Sequence, residues 1–116
     1  MTLPSGPANI TINNLDPDQP IPDGYALLDV REDDEWEAGH APGAVHIPSG
    51  ELADRLDELP DAELIVVCRG GGRSARAVQW LASQGIDALN LDGGMRAWAA
   101  AGFELVAEDG DIPTVD

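Results

Sequence analysis

Residues Leu64–Ser74, LIVVCRGGGRS, constrain the fold more than any other stretch, because an apolar run passes through three consecutive glycines into a segment with helical spacing. Leu64 to Val67, with Asp61 and Glu63 before them and glycine after, predict a short buried strand. Beyond Ser74, small or apolar residues at Ala75, Val78, Leu81 and Ala82 fall on one helix face, and Gly85 is placed to cap its end. A strand feeding a helix through a tight loop belongs to an α/β chain with a parallel sheet covered on both faces. Ligands of such sheets sit at the carboxyl ends of the strands, which is where Cys68 stands.

The loop favours a charged sulfur. Gly70, Gly71 and Gly72 permit backbone torsions closed to other residues, so the N–H groups of residues 69–73 are expected to turn inward around one point. The following helix adds partial positive charge at its N-terminus, and Arg69 and Arg73 lie within the loop. A free cysteine ionises at about 8.5, and each of these features lowers that value. A strand-end cysteine is often only a small hydrophobe. Here the glycines, both arginines and the helix outweigh that explanation. As the sole cysteine, Cys68 has no internal disulfide partner.

Elsewhere the chain alternates strand and helix signals. Ile10–Ile12 is an edge-strand candidate within a proline-rich N-terminal stretch, and Ala26–Val30 is a second strand. Asp33–Ala38 predicts a short helix, capped by Asp34 with Glu37 three residues later, ended by Gly39, and with Trp36 turned inward. Ala44–Ile47 predicts a short strand, and Leu52, Leu56 and Leu59 predict an amphipathic helix between Ser49 and Pro60. Ala88–Leu91 is the last strand, and Met95–Ala101 a last short helix ended by Gly102. Trp80 and Trp98 are expected to anchor the core. His40 and His46 lack ligand-like companions, so no metal is expected.

The 116 residues suffice for one domain, and their net charge of −16 is unevenly spread. Residues 1–63 carry fifteen acids against Arg31 and Arg55, whereas residues 64–103 carry four arginines against Asp87 and Asp92. The bulk field disfavours nucleic acid and anionic membranes, while a local basic mouth still attracts a small anion. No basic leader and no apolar run of membrane-spanning length stands in the sequence, so a cytoplasmic location is expected.

Cys68-Arg69-Gly70-Gly71-Gly72-Arg73-Ser74 resembles the active-site loop of the single-domain rhodanese (thiosulfate sulfurtransferase) family. Leu28-Asp29-Val30-Arg31-Glu32 with Gly39–Pro48 resembles that family's first block, and Leu91-Asp92-Gly93-Gly94-Met95 with Trp98 and Gly102 its last. The resemblance implies a three-layer fold with a five-stranded, mainly parallel sheet in the order 1-5-4-2-3. It divides the chain into an edge strand and loop (residues 1–24), a core (25–106) and a flexible tail (107–116). It implies a persulfide on Cys68, donor binding by Arg69, Gly70, Gly71, Gly72, Arg73 and Ser74, and a supporting role for Asp29 and Arg31. No cofactor is implied; the partners are a small anionic sulfur donor and a thiophilic acceptor such as cyanide, a thiol or a protein thiol. Two alternatives stand beside this one: a sulfur-relay module acting on a partner's thiol, and phosphatase or arsenate-reductase chemistry. The latter needs a Cys-x5-Arg loop, and Ser74 occupies the arginine's place.

Overall fold

A computed structural model describes residues 9–108, 110 and 112–115. Five strands, β1 (Asn9–Ile10), β2 (Tyr25–Asp29), β3 (Val45–His46), β4 (Glu63–Val67) and β5 (Ala88–Leu91), form one sheet in the order β1-β5-β4-β2-β3. Every pairing between neighbours is parallel. Three α-helices, α1 (Asp33–Ala38), α2 (Gly72–Ser83) and α3 (Gly94–Ala100), alternate with the strands. The expected α/β class and strand order are therefore the observed ones.

Strand alternation sorts the core into two layers. Leu27, Ile65, Val67, Leu89 and Leu91 face a cluster completed by Met95, Trp98 and Phe103. Leu28, Val30, Leu64, Val66 and Ala88 face the other, with Ala77, Val78 and Leu81 of α2, Leu52 and Cys68. Burial of both faces explains why these strands read as continuous apolar runs rather than alternating ones.

Three local expectations differ from the structure. Ile12 leaves the sheet, because Ile12–Asn14 closes a 3₁₀ turn in which the Asn14 side chain accepts from the Thr11 N–H at 2.8 Å. The helix expected between Ser49 and Pro60 is instead two 3₁₀ segments, Ser49–Asp54 and Leu56–Glu58, broken at Arg55. Arg55 ion-pairs with both Glu51 and Glu58, and only Leu52 of the three leucines is fully buried. With so little apolar face to bury, a short helix gains little from packing. The cap of α1 falls two residues earlier than expected, at Glu32, whose N–H donates to the Glu35 carboxylate at 3.0 Å.

Residues 107–116, expected to be a loose tail, touch α1 at two described positions. The Glu108 N–H donates to the Glu37 carbonyl at 3.2 Å and the Thr114 N–H to the Ala38 carbonyl at 2.9 Å.

Candidate active site

Cys68 follows the last residue of β4, the sheet's central strand, and α2 begins four residues later. Its thiol is buried, with 1% of the residue exposed, and one side belongs to the apolar cluster of Leu52, Ala77 and Val78. The other side is polar. The Gly71 N–H donates to Sγ at 3.0 Å and the Ser74 hydroxyl lies 3.3 Å away. Backbone N–H groups of Gly70 and Ser74 are also directed at the sulfur. Burial pushes the thiol pKa up, but the Ser74 hydroxyl and the amides of Ser74, Gly71 and Gly70 together outweigh it, leaving the pKa below its ordinary value.

Of the three consecutive glycines, only Gly71 needs to be one. Its φ of +113° lies in the left-handed region, whereas Gly70 and Gly72 do not, and a Cβ on either would meet nothing within 4 Å. Gly71 caps α2 and sends its own amide to the sulfur.

Helix α3 holds the loop from behind. The Met95 N–H donates to the Cys68 carbonyl at 2.8 Å and the Arg96 N–H to the Arg69 carbonyl at 3.0 Å. In a planar peptide the N–H points opposite the C=O, so anchoring the Arg69 carbonyl to α3 aims the Gly70 N–H back towards the sulfur. Gly94 makes this approach possible. A Cβ there would collide with the Cys68 and Arg69 carbonyls, and its φ is +57°.

The Ser74 hydroxyl also lies 2.5 Å from the Asn90 side-chain oxygen and 3.2 Å from the Gly71 carbonyl. One proton serves three acceptors, so Asn90 competes with the sulfur for it. The Asn90 amide nitrogen in turn donates to the Asn9 side chain at 2.9 Å. Asn90 escaped sequence reasoning, although a lone carboxamide in the buried strand Ala88-Leu89-Asn90-Leu91 was the signal.

The two loop arginines part company. Arg73 forks onto Glu35 of α1, Nη1 to Oε1 at 2.7 Å and Nη2 to Oε2 at 3.0 Å, so its charge is largely answered before any ligand arrives. That hydrogen-bonded guanidinium, aided by the Glu32 amide, overcomes burial and holds Glu35 at about 2. Arg69 is exposed and has no side-chain partner among the described residues. Glu35 was not anticipated: it is one acid among fifteen in its half of the chain and lies 38 residues from Arg73.

Asp29 and Arg31 form a buried, forked pair, with Arg31 Nη2 2.8 Å from Asp29 Oδ2 and 2.7 Å from the Gly39 carbonyl. Neither is seen hydrogen-bonded to Cys68–Ser74 among the described residues. Arg31 braces the end of α1, and its field helps lower the Glu35 pKa. His40 and His46 stack on the two faces of the half-buried Trp36, at ring separations of 3.6 and 4.7 Å. No cluster of three metal-ligating side chains occurs among the described residues. No helix there is long and apolar enough to cross a membrane.

A sequence model of the rhodanese-like domain matches residues 12–101. The chain belongs to the rhodanese-like family. Curated relatives include the putative sulfurtransferase YtwF of Bacillus subtilis, 42% identical over 73 residues that make up 62% of this chain and 71% of that protein. A sulfurtransferase of Allochromatium vinosum is 38% identical over 86 residues, 72% of this chain and 80% of that one. The putative sulfur carrier protein YrkF of Bacillus subtilis is 43% identical over 74 residues, 62% of this chain but only 40% of the relative. Among solved structures, SSP1007 of Staphylococcus saprophyticus superposes with a TM-score of 0.70 at 34% identity, covering 83% of this rhodanese-like chain and 97% of its own. Together these support sulfur transfer as the general activity.

Proposed function

We propose that this rhodanese-like chain transfers a sulfane sulfur by way of a persulfide on Cys68. The Cys68 thiolate attacks the outer sulfur of thiosulfate or a persulfide donor, forming a new S–S bond. The donor's own S–S bond breaks and, from thiosulfate, its electron pair leaves with sulfite. The terminal sulfur on Cys68 then carries the negative charge until cyanide or a thiol takes it. This is double-displacement, covalent catalysis without a cofactor.

One observation carries the proposal: three amides and a hydroxyl converge on a single buried sulfur. Donors fixed in place before reaction stabilise an anion without reorganising, and burial strengthens their effect. Arg69, exposed beside the loop, supplies the attraction for an anionic donor; Arg73 acts through its pair with Glu35 to fix α1 against the loop. A phosphatase reading is disfavoured, since a Cys-x5-Arg loop needs a guanidinium where Ser74 stands and the neighbouring Arg73 is already engaged.

The test is intact mass after incubation with thiosulfate. Gain of one sulfur atom, removed by cyanide and absent in Cys68→Ser, is expected. No gain on a thiol that alkylates readily would refute the proposal.

A further inference from the structure

We infer that Asn9, on the edge strand β1, is a positioning residue for the Cys68 sulfur: by fixing which end of the Asn90 carboxamide faces Ser74, it draws the Ser74 proton away from the sulfur and favours taking sulfur up over giving it away. This rests on the sulfur-transfer reading above and adds what sets the balance between its two half-reactions.

Asn9 and Asn90 are direct partners in the parallel register of β1 and β5, so their side chains leave the same face of the sheet. Asn90 alternates with Leu89 and Leu91, which enter one core layer, and therefore stands with Ala88 on the face that α2 covers. Ser74, in the first turn of α2, meets it there. A carboxamide has one donating and one accepting end of nearly equal size, so hydrogen bonds decide its direction. The Asn9 side-chain oxygen can only accept. The Asn90 Nδ2 therefore turns to it, 2.9 Å away, and Oδ1 is left 2.5 Å from the Ser74 hydroxyl. Because Asn90 is buried, its two ends answer to these neighbours rather than to bulk water.

The direction of that amide decides where the hydroxyl proton goes. With Oδ1 facing Ser74, Asn90 is the nearest acceptor, since Sγ lies 3.3 Å and the Gly71 carbonyl 3.2 Å from the hydroxyl oxygen. With the amide reversed, Nδ2 would donate to the Ser74 oxygen and leave the proton to the other two. Of these a charged Sγ is the stronger acceptor. Asn9 thus reaches Cys68 from the sheet edge through two side chains.

The consequence lies in the charge on Sγ, which comes and goes. In loading from thiosulfate, an Sγ electron pair forms the new S–S bond, sulfite leaves with the pair of the broken one, and the terminal sulfur carries the charge. In discharge, the cyanide carbon bonds to that terminal sulfur, the Cys68 S–S bond breaks, its electron pair returns to Sγ, and thiocyanate departs. A hydrogen bond to Sγ therefore stabilises the free thiolate and the leaving group but not the persulfide. It makes Sγ a weaker nucleophile and a better leaving group. Keeping the Ser74 proton on Asn90 does the reverse. One hydrogen bond to a charged group is worth about one pH unit, or tenfold, which divides into about threefold on each half-reaction.

Two measurements test this, each on Asn9→Leu, which fills a similar space and offers no acceptor, and on Asn9→Asp, which keeps one. First, thiolate absorbance of the unloaded protein is followed against pH. Asn9→Leu should move the Cys68 midpoint down by about one pH unit, and Asn9→Asp should leave it at the wild-type value. No shift in Asn9→Leu, an upward one, or equal shifts in both variants overturns the inference whatever the fate of the persulfide. Second, single-turnover loading by thiosulfate and discharge by cyanide are timed at a pH where Cys68 is fully ionised. Asn9→Leu should slow loading about threefold and quicken discharge about threefold, while Asn9→Asp matches wild type. Slowing of both steps, as a merely structural role gives, or no change in either, overturns the inference. Wild-type protein that never loads counts instead against the sulfur-transfer reading, and the thiol titration still decides the part played by Asn9.

Discussion

Glu35→Gln isolates the charge that pins α1 to the loop, because glutamine keeps the shape and an oxygen able to accept from the Glu32 N–H. In the folded protein Glu35 sits at about 2, against an ordinary value of 4.5. At about 1.4 kcal/mol per pH unit this sets a ceiling near 3 kcal/mol on what the ionised carboxylate contributes. The side chains of Glu35 and Arg73 are 20% and 28% exposed, and screening through that opening brings the expected value to about 2 kcal/mol. Since folding depresses this pKa, the contribution is complete above about pH 5 and disappears as pH falls through about 2. Urea unfolding of wild type and Glu35→Gln, at several pH values, reads the difference directly. It should be about 2 kcal/mol at pH 7 and close to zero near pH 2, with the protein's overall acidic repulsion cancelling between the two. A difference below about 0.5 kcal/mol at pH 7, or one that does not change with pH, would refute the assignment.

Ser74→Ala and Asn90→Ala should move the Cys68 pKa in opposite directions, the first upwards by removing a donor to sulfur, the second downwards by removing the acceptor that competes for the hydroxyl proton. Thiolate absorbance against pH reads both, and Ser74→Ala should also lose about 1–3 kcal/mol of stability by leaving the buried Asn90 side-chain oxygen unpaired. Gly94→Ala forces a Cβ against the Cys68 and Arg69 carbonyls at positive φ and should cost at least about 2 kcal/mol. Gly102→Ala, with φ +78° but open space around it, should cost about 1 kcal/mol, and thermal melts read both glycine variants. Asp29→Asn leaves Arg31 buried with an unanswered charge and should lose about 3–5 kcal/mol, whereas the double variant Asp29→Leu/Arg31→Met should lose clearly less. Equal losses in urea would show that the pair is not coupled.

What sequence revealed and what it hid follow the range of the interactions. The Cys68 loop, the helix after it and the buried strands are local patterns, written in consecutive residues. Pairings across the chain are not. Nothing near Glu35 distinguishes it from Asp33, Asp34 or Glu37; only the fold brings it to Arg73. That partner also answers a guanidinium that the local sequence leaves as an open charge. The glycines show the same limit: GGG reads as three permissive positions, but only Gly71 uses the freedom, while Gly94, in another motif, is what lets α3 approach the loop. Trp80 has the residue type and spacing of a core anchor, yet it is only half-buried, on the helix face it shares with Arg73 and Arg76.

Hydrogen bonds to the buried Cys68 sulfur outweigh the cost of burying its charge. Because Cys68 is the only cysteine, thiolate absorbance of the intact protein as a function of pH reports that one group without ambiguity. A midpoint below the value of about 8.5 for a free cysteine is predicted, rising in Ser74→Ala. A wild-type midpoint at or above that value would mean that burial wins and the converging donors do not hold an anion.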